Sequence, residues 1–179
     1  MKSKKRKFFS RFLKTKRIRK HIKKEGWFMC KIAAGTKILC RVNRTLDKGD
    51  FSILHQLNWF NMSVHSNSEY ARRTWFKERS LAGPIIFTVA DGLIHNADNI
   101  AEFLAGDGYE IYAYIGVNNM KINSPVMFGD TLRAEAEVVE LRPTKNQERF
   151  LFVYKNRAYN QRDQQVIEYQ TTMMVTKKE

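Results

Sequence analysis

The stretch from Leu81 to Leu104, LAGPIIFTVADGLIHNADNIAEFL, constrains this chain more than any other. From Ile85 to Leu93 it is apolar nearly all round, and a helix of that kind is stable only when most of its sides are buried. Pro84 suits the first turn, where its missing N–H costs nothing. The spacing predicts a helix from residue 84 to about residues 102–104, ended by the AGDG loop. The partner that buries it lies in the residues that follow. Tyr109–Ile122 is rich in β-formers. Thr131–Glu140 alternates, with Leu132, Ala134, Ala136 and Val138 on one face and Arg133, Glu135 and Glu137 on the other. Arg149–Tyr159 and Val166–Val175 are further strands, the last with Ile167, Tyr169, Thr171, Met173 and Val175 on one face. Turns at 128–130 (FGD) and 160–164 (NQRDQ) separate them. Before the long helix the sequence predicts one strand, Thr36–Arg44, then a helix over Lys48–Asn58 with Phe51, Ile53, Leu54 and Leu57 at helical spacing, and a short helix over Ser68–Arg73. The fold class is α+β: a long buried helix against an antiparallel sheet of roughly five strands.

Charge divides the chain. Of a net +14, residues 1–24 carry 13 Lys or Arg and no acid, which leaves +1 for residues 25–179. We therefore divide the chain into a basic tail (1–24) and one domain (25–179), a length that suits a single hydrophobic core. Repulsion among its cations opposes a compact tail, although Phe8, Phe9, Phe12, Leu13, Ile18 and Ile22 can share one side of a surface helix. A solvated tail, an anionic membrane surface, an acidic partner and a nucleic acid all remain open for it. The near-neutral domain argues against nucleic acid as the partner of the whole protein. The tail lacks the uninterrupted apolar core of a signal peptide. No apolar run reaches the ~20 residues of a membrane-spanning helix. Cys30 and Cys40 match no metal or redox spacing and are expected as free thiols in a reducing, cytoplasmic compartment, with the tail as a route to a membrane periphery.

Several segments resemble the MaoC-like dehydratases, the family that includes the (R)-specific enoyl-CoA hydratases. They are RTLDKGDFSILHQL (44–57), VHSNSEYARRTWF (64–76), LAGPII (81–86), NSPVMFGDTLRAEAEVVELRP (123–143), and Asn160-Gln161 followed by Val166-Ile167. The fourth is the most specific, with its Pro-Val, two-residue turn, Gly-Asp-Thr-Leu, alternating strand and Arg. The resemblance extends over residues ~36 to 176 and leaves the tail outside. The resemblance implies a hot-dog fold, a homodimer, and reversible addition of water to the double bond of an acyl-CoA or acyl-carrier-protein thioester, with no cofactor or metal. It implies an Asp and a His five residues apart that activate water, and a backbone N–H at the start of the central helix that polarises the thioester carbonyl.

Carried across position by position, His65 matches the family histidine and Gly83 the glycine of the helix start. The aspartate position is Phe60, which can neither hold water nor accept a proton, and the acidic position two after the histidine is Asn67. Asn61 and Asn58 are polar neighbours that can orient a water or simply serve the turn. Asp91 interrupts the apolar helix, so it requires a partner or a raised pKa. It is the candidate to replace the missing carboxylate, or to serve a thioesterase. His95 follows one helical turn later and reads as structural, and His55 has no assigned role. Gly83 allows either close approach of a thioester or tight packing. Asn119, Lys121 and Asn123 border the substrate tunnel only by the resemblance. Three readings stand: a hydratase or dehydratase through His65, a thioesterase through Asp91, and a non-catalytic acyl-CoA-binding module.

Overall fold

The computed structural model describes residues 32–96, 99–146 and 148–178. The tail (1–24), its amphipathic helix and Cys30 lie outside the described residues. Two short strands come first, β1 (Lys37–Leu39) and β2 (Arg44–Thr45). Helices α1 (Lys48–Leu57), α2 (Ser63–Ser66), α3 (Ser68–Arg72), α4 (Gly83–His95) and α5 (Asn99–Gly106) follow. Four long strands close the chain: β3 (Tyr109–Ile122), β4 (Thr131–Pro143), β5 (Arg149–Tyr159) and β6 (Gln165–Lys177). All pairings are antiparallel, in the order β1-β4-β5-β6-β3, with β2 also on β4.

The alternation read from the sequence is the alternation of burial. Leu132, Ala134, Ala136 and Val138 of β4 face inward, as do Ile167, Tyr169, Thr171, Met173 and Val175 of β6. Against this face α4 buries Ile85, Ile86, Val89, Ala90, Leu93 and Ile94. Its remaining positions are not all covered: Pro84, Thr88 and Gly92, one turn apart, are exposed.

Three expectations need correction. The long helix is two helices, because Asn96 adopts an extended conformation (φ −60°, ψ 142°). Short polar side chains offer the backbone local alternatives to helix, and the Asn99 amide reaches the Ile94 carbonyl at 3.4 Å, near the end of α4. The single strand Thr36–Arg44 is two strands. Lys37 pairs with Glu137 and Leu39 with Glu135, but Arg44 pairs with Leu132, so two extra residues leave the ladder between them. That excursion is tied to α5 by Arg41–Glu102 at 2.6 Å and by Asn99 against the Cys40 sulfur. Lastly, α1 buries Phe51 and His55, with Leu54 packed at the core's edge, while Ile53 and Leu57 are exposed. The buried stripe follows the i, i+3, i+4 rule through a histidine.

The FGD turn shows why this segment has its pattern. Gly129 takes φ +85°, the left-handed region that glycine enters without steric cost. The buried Asp130 carboxylate accepts the Met127 N–H (3.0 Å), the Gln161 amide (2.8 Å) and the Arg162 guanidinium (3.1 Å), joining this turn to the one between β5 and β6. Asp130→Ala is expected to cost about 2–4 kcal/mol, since three donors lose their acceptor and Arg162 loses its charge partner. Urea denaturation monitored by circular dichroism would measure it, and a loss below about 0.5 kcal/mol would show that water replaces the carboxylate.

Candidate functional site

The site is built where α1, the following loop and the N-terminus of α4 meet. Asp47 caps α1 by accepting the Asp50 N–H (2.9 Å) while Asp50 accepts the Asp47 N–H (3.0 Å), a reciprocal box. The other end of α1 closes with Trp59 in the left-handed region (φ 56°), Trp59 N–H on the Gln56 carbonyl and Phe60 N–H on the His55 carbonyl. This is the Schellman arrangement, in which the residue after the turn folds back on the helix's apolar side. Phe60 accordingly packs against the core.

His65, in α2, is half-buried. Its Nδ1 lies 2.8 Å from the Ser80 carbonyl, so Nδ1 carries the proton and donates it there. That fixes the tautomer and leaves Nε2 as the basic nitrogen. The ring lines a mostly apolar cleft of about 300 Å³, together with Trp75, Phe76, Leu81, Gly83, Ile86, Ile122, Asn123 and others.

Gly83 faces the same cleft, and the backbone amides around it are engaged one by one. Leu81 N–H donates to the Val126 carbonyl and Ala82 N–H to His55 Nε2 at 3.2 Å. Pro84 has no N–H, and Ile85 and Ile86 both donate to the Ala82 carbonyl. Among the described residues, Gly83 N–H is the one donor of this run without a protein acceptor. It sits at a helix N-terminus, which favours negative charge. A Cβ at Gly83 would meet Ile122 at 3.6 Å, an ordinary contact, so packing does not demand the glycine.

His55 is the residue that sequence reasoning missed. It lies 4% exposed on the buried stripe of α1, its Nδ1 at 2.5 Å from the Phe51 carbonyl, and its ring stacks on His65 with centroids 5.2 Å apart. The signal was available, since His55 follows Phe51 by four residues on the core side. Burial lowers its pKa from the ordinary 6.5; the Phe51 carbonyl opposes this, and the neighbouring His65 and Arg79 lower it further. Stability from a depressed histidine is fully present above the unfolded value of 6.5 and is lost as pH falls through the folded value. His55→Gln keeps hydrogen-bonding capacity without the titration. Its melting temperature relative to wild type is therefore expected to improve as pH falls from about 8 to about 5. A pH-independent difference would rule out proton linkage at His55.

Asp91 is placed elsewhere and has its required partners. Its carboxylate accepts the Tyr169 hydroxyl at 3.1 Å and lies 3.4 Å from His95 Nδ1. His95 Nε2 meets the Tyr154 hydroxyl at 2.9 Å. Burial would lower the His95 pKa, but the Asp91 carboxylate and carbonyl outweigh it and raise it. Burial and the Asp91 charge push the Tyr154 and Tyr169 phenols far above their usual value, so both remain neutral donors. Deeper in this cluster Asn156 donates to Thr171 at 2.8 Å. The cluster lies between α4 and the sheet, and Asp91 is not among the residues lining the His65 cleft.

Of the residues singled out in the sequence, the structure brings His65, Gly83 and Asn123 to one cleft. Phe60, Asn61, Asp91, Asn119 and Lys121 are not among its lining residues. Asn61 is exposed, and the Asn58 amide is spent on the Leu54 carbonyl at 2.8 Å. The described residues hold no cluster of three or more potential metal ligands. Among them no helix is long and apolar enough to cross a membrane.

No protein-family model matches the chain, and no curated protein matches it. Solved structures do. A MaoC-like dehydratase from Rhodospirillum rubrum superposes with a TM-score of 0.71 at 18% identity, over 86% of this chain and 99% of that one. An R-hydratase from Pseudomonas aeruginosa superposes with a TM-score of 0.61 at 24% identity, over 82% and 83%. The chain has the hot-dog fold. A 3R-hydroxyacyl-ACP dehydratase complex from Mycobacterium tuberculosis is similar as well, with a TM-score of 0.62 at 14% identity over 79% of this chain and 96% of that chain. At these identities the likeness is one of fold. Within the hot-dog frame, the His65 cleft lies at the start of the central helix, and the Asp91 cluster lies further along it.

Proposed function

We propose that this hot-dog protein is a MaoC-like acyl-thioester hydratase or dehydratase of reduced activity, working through His65. The observation that carries the reading is one cleft holding a tautomer-fixed imidazole and the unengaged Gly83 N–H at a helix N-terminus. In the hydration direction, His65 Nε2 takes a proton from water as its oxygen bonds to C3 of the enoyl group. The electron pair moves onto the thioester oxygen, where Gly83 N–H stabilises it, and the proton returns to C2. With phenylalanine at position 60, His65 performs both proton transfers alone. The mostly apolar cleft suits an acyl chain.

A coupled assay over short and medium trans-2-enoyl-CoAs tests this. His65→Ala should abolish whatever hydration the native protein shows, and Asp91→Asn should leave it within a few-fold. Hydrolysis of acyl-CoA lost in Asp91→Asn would establish the thioesterase instead, and binding without turnover would establish the non-catalytic module.

The exposed apolar residues of edge strand β3 support a homodimer. For the tail we retain attraction of a cytoplasmic protein to the periphery of an anionic membrane surface, on the strength of its 13 cations without an acid. Deleting residues 1–24 should leave the melting temperature nearly unchanged and abolish binding to phosphatidylserine-containing vesicles, with the native binding weakening steeply between about 50 and 300 mM salt. A large drop in melting temperature would instead make the tail part of the folded structure.

A further inference from the structure

His55 and His65 grip one tripeptide from its two ends. His65 Nδ1 donates to the Ser80 carbonyl at 2.8 Å, and the Ala82 N–H donates to His55 Nε2 at 3.2 Å. Between them the Leu81 N–H donates to the Val126 carbonyl. Ser80, Leu81 and Ala82 are buried, so these bonds are made away from competing water. Ala82 is the N-cap of α4 and is held on both sides. His55 takes its N–H, and the Ile85 and Ile86 N–H groups take its carbonyl. The next peptide plane carries that carbonyl and the Gly83 N–H, trans to one another. Whatever orients Ala82 therefore aims the Gly83 N–H.

The same partners dictate the protonation state of His55. The Phe51 carbonyl, 2.5 Å from Nδ1, can only accept, so Nδ1 carries a proton. The Ala82 N–H can only donate, so Nε2 is bare. The neutral Nδ1–H tautomer alone meets both. A second proton would sit on Nε2, facing the Ala82 N–H donor to donor. It would also set a cation against the His65 ring, stacked at 5.2 Å with the planes 20° apart. The neighbours give that cation no relief: Arg79, from the loop before α4, is itself a cation, and the first turn of α4 holds no acid.

We propose, on the acyl-thioester reading of the His65 cleft, that His55 is a positioning residue: held neutral, it fixes Ala82 and so the aim of the Gly83 N–H, and its protonation switches the site off. His55 is not among the residues lining the cleft and acts through Ala82 and the stacked ring. In hydration His65 becomes cationic when Nε2 takes the proton of water. A neutral imidazole stacked on it tolerates that charge, whereas a second imidazolium would repel it. Burial favours the neutral form of His55.

Three measurements on the full-length protein test this. Nitrogen-15 NMR near neutral pH should show His55 as the neutral Nδ1–H tautomer; an Nε2–H form or an imidazolium overturns the proposal. His55→Leu keeps an apolar side chain in place and removes the acceptor. Its Ala82 amide should exchange with solvent at least about tenfold faster, while the Leu81 amide, still on Val126, keeps its rate and shows that the protein is folded. His55→Gln supplies an acceptor that does not titrate and should return Ala82 exchange to within about threefold of native. In enoyl-CoA hydration His55→Leu should lower kcat about tenfold or more with KM within about twofold, and His55→Gln should recover most of the loss. At acid pH, log kcat/KM should fall with slope two in the native protein, because His65 and His55 must both be deprotonated, and with slope one in His55→Gln. Unchanged Ala82 exchange in His55→Leu, or slope one in both proteins, overturns the proposal. If tautomer and exchange are as expected but enoyl-CoA is not hydrated, the hold of His55 on Ala82 stands and the hydratase reading fails. If hydration requires His65 but ignores His55→Leu, the hydratase reading stands and the role of His55 fails.

Discussion

Phe60→Asp is expected to raise hydration of trans-2-enoyl-CoA by at least about tenfold over the native protein, whose own activity should be weak or absent. The reason is the division of labour that hydration requires. A water must be held and deprotonated while a second proton reaches C2, and one imidazole serves both steps poorly. Members of an acid–base pair act as a unit, and loss of one commonly costs orders of magnitude. In this chain the imidazole is in place, with Nδ1 fixed by the Ser80 carbonyl, and the residue five positions before it is an aromatic packed on the core. The substitution also carries a structural cost. Phe60 makes the fold-back contact that completes the turn after α1, so its loss should destabilise by about 1–2 kcal/mol, less than for a fully buried aromatic. Activity must therefore be compared at a temperature where both proteins are folded. Robust native activity that ignores His65→Ala would move the chemistry to another group such as Asp91. Native activity that depends on His65 but falls in Phe60→Asp would make Phe60 a wall of the substrate site and place the partner carboxylate elsewhere.

A second large effect is expected at the sheet edge. In the order β1-β4-β5-β6-β3, strand β3 pairs only with β6 among the described residues, across 14 residues. Six of its large apolar residues, Ile111, Tyr112, Tyr114, Ile115, Met120 and Ile122, are between 39% and 55% exposed. A long apolar edge with unpaired backbone groups invites a second chain, and the natural solution is an isologous pair. Ile111→Lys with Ile115→Lys should raise the dimer dissociation constant about 100-fold or more, roughly 3 kcal/mol. Sedimentation velocity over a concentration series would show it, and the variant should melt at a lower temperature that depends less on protein concentration. A native protein that sediments as a monomer at every concentration would refute the pairing.

Much of this architecture was legible in the residues because it rests on periodicity. Period two in β4 and β6 and the apolarity of Ile85–Leu93 leave few faces to choose, and one arrangement buries all of them but the Pro84–Thr88–Gly92 stripe. Asp130 and Gly129 were legible as a turn for the same local reason, a backbone conformation that glycine adopts freely. His65 and Gly83 were found through a resemblance of motifs and not through any periodicity. Local rules failed where distant contacts compete with them. The strand Thr36–Arg44 breaks because Cys40 and Arg41 are drawn to α5, some 60 residues away, and the central helix ends early where the Asn99 side chain serves the end of α4.

The site divides in the same way. Sequence alone determined which side chains could do acid–base work, and that position 60 could not. Only the tertiary structure decided that Asp91 belongs to a tyrosine–histidine cluster, that His55 holds the Ala82 amide and stacks on His65, and that Gly83 is left with the unengaged N–H. Periodicity records which face of an element is buried, but not which residue of a distant element it meets there. Hydrogen-bond partners are set by that second, three-dimensional adjacency.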